Sequence, residues 1–489
     1  MALAAVVAAA MLSCHAAGEQ VLLTNERSTA PAFAAGHGRS LSGCSPLEGG
    51  ARRTCKRTRQ PHHRMSPSMQ TDQARAWKSF EEWAEKAGIQ NPTIKMSEFA
   101  SGLRGMKAIS PVSSGDILVT VPSTSVLRVV KGQSRLPSRL KGYVSEGTWQ
   151  GLEWWAQLAV LLLWEKGHAR SPSTEPSSFV RWIEVLPKSL STPFHWNEES
   201  VKELQYQPLI DKIEKQKREW RSIFDKISCD NPQFQEADFY NACEMARSRA
   251  FSGPYVGKLP KDQMFLTGLL VALSTQLHLL ETSQAALGAV LVVGGILANT
   301  FLLPNFLGLT HYVIAPMIDM INHDGQSKSI VTYQALQAAF EVQSSSNFNV
   351  GDQVFISYGD RSNDQLLQYY GFVEMDNVHD LYEIADLDGK LRKKGGKGGS
   401  EVGSKDAYVS PKGLDEESMN RAKSLFPDEA SARQAVKEIL QDELNSFPTT
   451  LEEDEVALRS RSALQSSFPL ALSFRVSKKR LLHQVLQQL

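Results

Sequence analysis

Three polar side chains close an apolar run in the middle of this chain. The run Ala315–Ile321 is interrupted by Asp319, and Asn322 and His323 follow it directly. An apolar run that ends in this way suggests a strand end beside a pocket. There an amide and nearby backbone groups can hydrogen-bond an adenine ring or the charged ends of an amino acid, and a carboxylate can orient the turn. The same pattern is also typical of an ordinary cap or turn, which asparagine favours.

A tyrosine closes the next β-rich run. Gly351–Asp352 predicts a turn, Gln353–Ser357 predicts a strand, and Tyr358 comes directly after it. A phenol at a strand end can orient an amine, and its hydroxyl stays protonated near neutral pH unless its surroundings shift its pKa. Tyr370 and Phe372 follow and can form aromatic walls, which exclude water, attract a cation and favour a neutral amine. The alternative is that these rings belong to an ordinary half-buried core.

Length and composition exclude several classes of protein. At 489 residues the chain is expected to form about two or three units, and a hydrophobic content of 42% is ample for a core. The formal net charge of zero argues against nucleic-acid binding, because that needs a clustered excess of basic residues. Cys229 and Cys243 are the only cysteines after residue 55, and no CxxC pair occurs. We therefore expect neither a structural zinc site nor a disulfide framework.

Residues 1–70 predict a targeting leader rather than a folded domain. Ala2–Leu12 is apolar but too short to cross a bilayer. The remainder is rich in Ala, Ser, Gly and Arg and poor in acidic residues, which is typical of an organelle transit peptide. The segment Ala30–Ala34 resembles part of the leaders of plastid proteins in algae with complex plastids. We therefore expect a plastid protein, with a plain disordered N-terminus as the alternative.

Periodicity predicts a β core that is split by a long helical block. Helical spacing recurs in Ala76–Lys86 and through most of 152–251. Beyond the glycine-rich segment 393–400 the chain is charged and helix-favouring, which predicts a helical C-terminal region. The β-rich runs lie at Ile117–Pro122, Ile330–Gln343 and Gln353–Tyr358.

Several of these segments resemble motifs of SET-domain protein methyltransferases. Asp319, Asn322 and His323, followed by Tyr358, resemble the catalytic core of that family. The chain is similar in particular to the branch that contains the Rubisco large-subunit lysine methyltransferases and the actin-histidine methyltransferases. That similarity runs from about Trp77 to the C-terminus, and it rests on the glycine motif 102–108, Arg181–Pro187, Ser-Arg-Ala-Phe at 248–251, and the segments 449–455 and 474–479.

The resemblance implies an α+β fold. Its parts would be a pseudoknotted β SET core, a helical insertion and a C-terminal all-α substrate-binding lobe. The SET domain would span 74–373 with the insertion at about 130–310, and the lobe would span 374–489. The lobe would dock a folded protein substrate, and we expect a monomer that does not bind nucleic acid.

The resemblance also implies an activity. It is the transfer of a methyl group from S-adenosyl-L-methionine (AdoMet) to a lysine of a non-histone plastid protein, without a metal. A histidine acceptor and a non-catalytic SET-fold interaction module are the alternatives. Tyr358 would be the catalytic tyrosine, and Tyr333, Tyr370 and Phe372 would line the acceptor channel. The cofactor would be bound by Gly102, Leu103, Arg104, Ser248, Arg249, Asp319, Asn322 and His323.

The chain departs from the family by a long insertion before Asn322. It contains two uncharged apolar runs, Met264–Leu280 and Ala285–Leu303, and each approaches the length of a membrane span. A single span would separate Arg249 from Asn322 by roughly 30 Å of hydrocarbon, so only two spans or none are compatible with one shared site. We therefore expect a helical hairpin over 264–303, which is either inserted in a membrane or packed on the SET core. Arg104 is a second departure, since family members often have a smaller apolar residue there.

Overall fold

The computed structural model describes residues 67–99, 102–132, 135–168, 179–253, 255, 261–277, 281–297, 310–335, 337–397, 406–460 and 467–489. The leader expected over 1–70 therefore lies almost entirely outside the described residues. By their contacts, the described residues divide into two compact units. The smaller unit contains 261–277 and 281–297, and the larger unit contains the others.

Short strands of the larger unit form four sheets in the described part of the chain. The strands are β1 (Ile94–Glu98), β2 (Arg104–Ala108), β3 (Ile117–Pro122), β4 (Leu127–Val130), β5 (Phe251–Gly253), β6 (His311–Ile314), β7 (Asn322–His323), β8 (Val331–Gln334), β9 (Ala339–Gln343), β10 (Gln353–Ile356), β11 (Tyr382–Ile384), β12 (Ala407–Ser410) and β13 (Gly413–Leu414). The sheet orders are β1-β2-β10-β7, β3-β9-β8, β4-β6-β5 and β11-β12-β13.

Helices connect and cover these sheets. A helical turn at Asn363–Gln365 continues into a π-helix at Leu366–Tyr370. The longer helices are α1 (Pro67–Lys86), α2 (Glu146–Gln150), α3 (Trp154–His168), α4 (Val180–Val185), α5 (Glu198–Lys202), α6 (Gln207–Asp230), α7 (Glu236–Arg249), α8 (Lys261–Gln276), α9 (Thr282–Leu297), α10 (Leu387–Lys393), α11 (Glu416–Leu425), α12 (Glu429–Asn445), α13 (Leu451–Ser460) and α14 (Ser467–Gln488).

The sheet β1-β2-β10-β7 joins segments that are far apart in the chain. β1 and β2 form an antiparallel hairpin, and Gly102 in its turn has a φ of 76°, which glycine adopts without strain. β10 pairs antiparallel with β2 and parallel with β7. The sheet therefore brings the residues around Arg104, Asn322 and Tyr358 to one place.

Two hydrophobic cores lie in the larger unit. The first packs strands of the three N-terminal sheets against α3 and α7, with Trp182 and Phe239 among its fully buried side chains. The second packs the C-terminal helices against residues of the segment 196–213 and against Leu367. The C-terminal lobe therefore shares its core with the helical insertion.

The expected α+β class is confirmed, and the C-terminal region is helical as expected. α11 and α12 begin after Asp415 and Asp428, whose carboxylates accept the backbone N–H groups of Ser418 and Ser431. Such caps satisfy N–H groups that have no partner inside the helix. The small sheet β11-β12-β13 is an addition that the sequence pattern does not predict, because strands of two to four residues have no detectable period.

The smaller unit is a pair of helices. α8 and α9 pack against each other, and the hairpin expected over 264–303 stays a prediction. Several of its large apolar side chains are exposed, including Phe265 and Val290. In the described ranges, no helix combines the length and the apolar character needed to cross a membrane.

Candidate active site

Strands β2, β7 and β10 bring together Arg104, Asn322 and His323. Asn322 is paired with Phe355, and His323 with Ile356, in the parallel β7–β10 ladder. Nδ2 of Asn322 donates a hydrogen bond to the Arg104 carbonyl at 2.8 Å. This bond fastens the start of β2 to β7, so two segments of the predicted cofactor site are in direct contact.

A glycine leaves room for two side-chain amides where these strands approach. A Cβ on Gly105 would lie 2.7 Å from Nδ2 of Asn322 and 2.7 Å from Nε2 of Gln353. Close-packed interiors have no room for contacts that short. Gly105 lies in the glycine motif 102–108, yet it is not among the predicted site residues, because spacing alone does not show which side chain approaches it.

A buried ion pair joins the end of α7 to the turn before β7. NH1 of Arg249 donates to the Asp319 carbonyl at 2.7 Å and to Asp319 Oδ2 at 3.0 Å, and Nε1 of Trp182 donates to the same Oδ2 at 3.1 Å. The Asp319 side chain is fully buried. Burial raises the pKa of its carboxyl, whereas Arg249 and Trp182 oppose that rise. Oδ1 has no hydrogen-bond partner in the described residues, so it can accept a donor from a ligand.

The turn that carries Asp319 is strained. Met317 precedes a 3-10 turn at Ile318–Met320 and has a φ of 75°. Residues other than glycine in this left-handed region cost of order 1–3 kcal/mol, and they cluster at functional sites. The strain is consistent with a turn whose geometry is dictated by what Asp319 contacts.

Arg104 contributes a second guanidinium close to Arg249. Its NH1 donates to the Val185 carbonyl at 2.9 Å. Burial and the Arg249 charge lower the pKa of Arg104, whereas Glu98 raises it. Two guanidinium groups that lie close together can bind a carboxylate of a ligand.

The other predicted cofactor residues make local contacts. Oγ of Ser248 donates to the Glu244 carbonyl at 2.7 Å, one turn back in α7. Gly102 lies in the β1–β2 turn, and the Leu103 side chain beside it is about half exposed, at 52%. The cofactor roles of Ser248, Gly102 and Leu103 therefore stay predictions.

His323 and Tyr358 form one interlocked pair. The backbone N–H of Tyr358 donates to Nδ1 of His323 at 3.0 Å, and the two rings stack with centroids 5.0 Å apart. The Tyr358 hydroxyl donates to the Ile321 carbonyl at 2.9 Å. Burial raises the pKa of the Tyr358 phenol and lowers the pKa of His323. Both side chains are therefore neutral near pH 7, as their hydrogen bonds require.

Two further aromatic rings lie beside this pair, and their role as walls of an acceptor channel stays a prediction. Tyr370 stacks on Tyr358 with centroids 5.1 Å apart, and Phe372 lies 6.1 Å from the His323 ring and 6.3 Å from Tyr370. Tyr370 ends the π-helix, and such bulges are frequent at functional sites. Gly371 follows with a φ of 77°, and a Cβ there would meet the Ser191 backbone at 3.0 Å. The backbone between the two rings is therefore tightly constrained.

Tyr333 lies in a different aromatic group. Its ring contacts Phe340, with centroids 5.0 Å apart, and Tyr255, with centroids 6.0 Å apart. Tyr255 in turn contacts Phe251, which begins β5 directly after Ser248–Ala250. These described contacts neither place Tyr333 on the Tyr358 pair nor test its channel role.

Two further residues touch the site but were not predicted from the sequence. Trp182 supplies a hydrogen bond to Asp319, and its only signal in the sequence is its place in the segment Arg181–Pro187. Glu374 lies next to His323, with Oε2 at 3.7 Å from Nε2. Glu374 follows Phe372 by two residues, and no sequence pattern around it indicates the contact with His323.

One family model matches part of the C-terminal region. Residues 332–482 match the family described as Rubisco LSMT substrate-binding. The chain is 23% identical over 305 residues to the actin-histidine N-methyltransferase of Danio rerio, which is 62% of this chain and 43% of that protein. It is 22% identical over 298 residues to SET domain-containing protein 4 of Mus musculus, which is 61% of this chain and 58% of that protein. The chain thus spans less than half of the actin-histidine methyltransferase it matches.

Solved structures show the same fold. Rubisco LSMT bound to AdoMet superimposes with a TM-score of 0.54 at 19% identity, and covers 84% of this chain and 90% of that one. The SET domain of LSMT bound to lysine and AdoHcy also gives 0.54 at 19% identity, with coverage of 85% and 91%. The fold expected from the sequence motifs is therefore confirmed. The chain therefore has the fold of the LSMT SET-domain structures, and its residues 332–482 match the family model described as Rubisco LSMT substrate-binding.

Proposed function

We propose that this protein is an AdoMet-dependent protein N-methyltransferase that acts on lysine. The observation that carries the proposal is that a charged cluster, formed by Arg104, Arg249 and Asp319, lies beside the strands that lead to Tyr358. The similarity to SET-domain methyltransferases supports it, as do solved LSMT structures that contain AdoMet or AdoHcy.

The residues of this charged cluster fit AdoMet. Its ammonium group needs an acceptor, and Oδ1 of Asp319 is a buried acceptor without a described partner. Its carboxylate needs donors, and the guanidinium groups of Arg104 and Arg249 supply N–H donors. When bound, AdoMet supplies an activated methyl group on its sulfonium sulfur. In the described residues no group of three or more His, Cys, Asp or Glu side chains could hold a metal ion.

Tyr358 can orient the acceptor amine. Its hydroxyl hydrogen points to the Ile321 carbonyl, so the phenol oxygen keeps its lone pairs for an N–H of an incoming amine. The rings of Tyr370 and Phe372 remove water from the amine, which lowers the pKa of an ammonium and favours the neutral, nucleophilic form. Holding a neutral amine in line with the methyl group supplies rate through positioning.

Histidine is the second candidate acceptor. The similarity to actin-histidine N-methyltransferases, at 23% identity over 62% of this chain, favours a histidine acceptor. We propose that a folded protein substrate docks on the C-terminal lobe, which the match to the Rubisco LSMT substrate-binding family supports. Mass spectrometry of the methylated product distinguishes lysine from histidine.

Replacing Asn322 with alanine should weaken AdoMet binding by about tenfold, equivalent to roughly 1.4 kcal/mol. The variant loses the hydrogen bond that fastens β2 to β7, so Arg104 is no longer held beside Arg249. Isothermal titration calorimetry with AdoMet measures this change. Asn420→Ala, at an exposed asparagine on α11, is the matched control and should bind as the wild type does. A wild type that releases no heat with AdoMet would favour the non-catalytic module.

We also propose that the protein resides in plastids and that segment 264–303 contacts a membrane. The basic, acid-poor composition of residues 1–70 supports the first part, and the exposed apolar side chains of α8 and α9 support the second. Plastids isolated from the source cells should contain the protein, and lysis in a buffer without detergent should leave it in the membrane pellet. A variant that lacks 264–303 should become extractable. Complete release of the unaltered protein would contradict membrane contact, and absence from plastids would contradict the localisation.

A further inference from the structure

The C-terminal helix α14 places a buried lysine against two aspartates. Lys478 is fully buried, and its Nζ lies 2.5 Å from Asp364 Oδ1 and 2.8 Å from Asp380 Oδ1. It also donates to the Leu381 carbonyl at 2.6 Å. Asp364 lies in the helical turn that follows the Tyr358 segment, so this cluster connects the lobe to that segment.

Asp380 links Lys478 to Asn363. It accepts two hydrogen bonds from Asn363, from the backbone N–H at 2.9 Å and from Nδ2 at 3.0 Å. Asn363 is fully buried, and its side chain makes two hydrogen bonds to the backbone of Glu374. Oδ1 accepts the Glu374 N–H at 3.0 Å, and Nδ2 donates to the Glu374 carbonyl at 2.9 Å. The backbone of Glu374 is therefore held by buried groups that end at Lys478.

The Glu374 carboxylate faces His323. Oε1 accepts the backbone N–H of Gly325 at 2.9 Å. Oε2 makes no hydrogen bond in the described residues and lies 3.7 Å from Nε2 of His323. That distance is longer than a hydrogen bond, so the attraction is between the carboxylate charge and the polar ring edge. A Cβ on Gly325 would lie 2.6 Å from Oε2, so the glycine is what admits the carboxylate.

The proton of His323 has two possible places. Nδ1 accepts the Tyr358 N–H only when the ring proton is on Nε2. The Ile356 carbonyl also faces the ring and can accept a proton from it, and Asp324 and His379 add charges nearby. A negative group on the Nε2 side selects the form that holds Tyr358.

We propose that Glu374 is a positioning residue: its carboxylate keeps the proton of His323 on Nε2, which leaves Nδ1 to hold the backbone of Tyr358, and the Asn363–Asp380–Lys478 cluster keeps Glu374 in place. The proposal rests on the proposed function for its kinetic part. Glu374 touches neither the acceptor nor the donor in this role. It acts through His323 on the orientation of the tyrosine.

Glu374→Gln tests the proposal by two measurements. The amide oxygen of the new glutamine can still accept the N–H of Gly325. Its NH2 group then faces Nε2–H of His323, and because two donors repel each other, the ring proton should move to Nδ1. Nitrogen-15 NMR of histidine-labelled protein should show the His323 ring, assigned through His323→Gln, change from the Nε2-protonated to the Nδ1-protonated form. kcat should fall about tenfold, because a small misplacement of a reacting group is costly. The Kd for AdoMet should stay within twofold of the wild type.

Glu429→Gln is the matched control, because Glu429 is also a carboxylate of the lobe and pairs with Lys423 and Arg433, outside the cluster that holds Glu374. It should change neither the ring spectrum nor kcat. An unchanged His323 ring form in Glu374→Gln would overturn the proposal, and the NMR measurement does so even if the protein has no methyltransferase activity. If Glu374→Gln does not fold, Gly325→Ala serves instead. It displaces the carboxylate without removing it and should produce the same change in the ring.

Discussion

Tyr358→Phe should lower kcat by at least about 100-fold, which is typical for the loss of one oriented polar group in an active site. The variant removes the hydroxyl that points to the Ile321 carbonyl and with it the oxygen that would accept the amine N–H. The phenylalanine ring can still stack on His323 and Tyr370, so the surrounding walls should persist. AdoMet binding by calorimetry should therefore match the wild type, whereas methyl transfer under saturating AdoMet should nearly stop.

Tyr408→Phe is the control for this experiment, since Tyr408 is an exposed tyrosine on β12. It should retain wild-type turnover. If Tyr358→Phe turned over at the wild-type rate, the role of the phenol would be refuted. If it instead lost AdoMet binding, the tyrosine would serve the donor pocket rather than the acceptor.

Lys478→Met should destabilise the protein by about 3–5 kcal/mol, the usual cost of removing one partner of a buried ion pair. Methionine fits the space, but the buried Asp380 then loses the ammonium group of Lys478, and Asp364 keeps only the longer contact of 3.9 Å with Lys212. Urea unfolding, followed by tryptophan fluorescence, measures the loss in the free energy of unfolding.

An exposed lysine provides the comparison for Lys478→Met. Lys437 lies on the solvent side of α12, and Lys437→Met should change the free energy of unfolding by less than about 0.5 kcal/mol. A Lys478→Met variant that was as stable as Lys437→Met would show that the buried cluster does not hold the lobe in place.

The chemistry-bearing residues could be predicted where the signal is local. Asn322 and His323 follow an apolar run, Tyr358 follows a strand, and Tyr370 and Phe372 follow within a few turns; the structure brings all five together. Each of these segments positions its side chains by short-range geometry, which hydrophobic periodicity and turn residues report. The pairing of β7 with β10 then needs only one strand register.

The contacts that come from distant segments could not be predicted in this way. Trp182 reaches Asp319 across the helical insertion, and Glu374 reaches His323 from a turn without a repeating pattern. Lys478 and Lys479 lie in the charged, helix-favouring C-terminal region. Both are nevertheless buried, because Asp364, Asp380 and Asp454 neutralise their charges. Tertiary pairing of charges decides these positions, and it has no one-dimensional signature.

Transfer of tritiated methyl groups from AdoMet into proteins of a source-cell lysate tests the central claim most directly. Wild-type protein should label a defined band, Tyr358→Phe should leave that band unlabelled, and mass spectrometry of the band should show a methylated lysine. A methylated histidine would redirect the acceptor while keeping the enzyme. A lysate that gains no label with wild-type protein, although calorimetry shows that this protein binds AdoMet, would contradict the proposed methyltransferase.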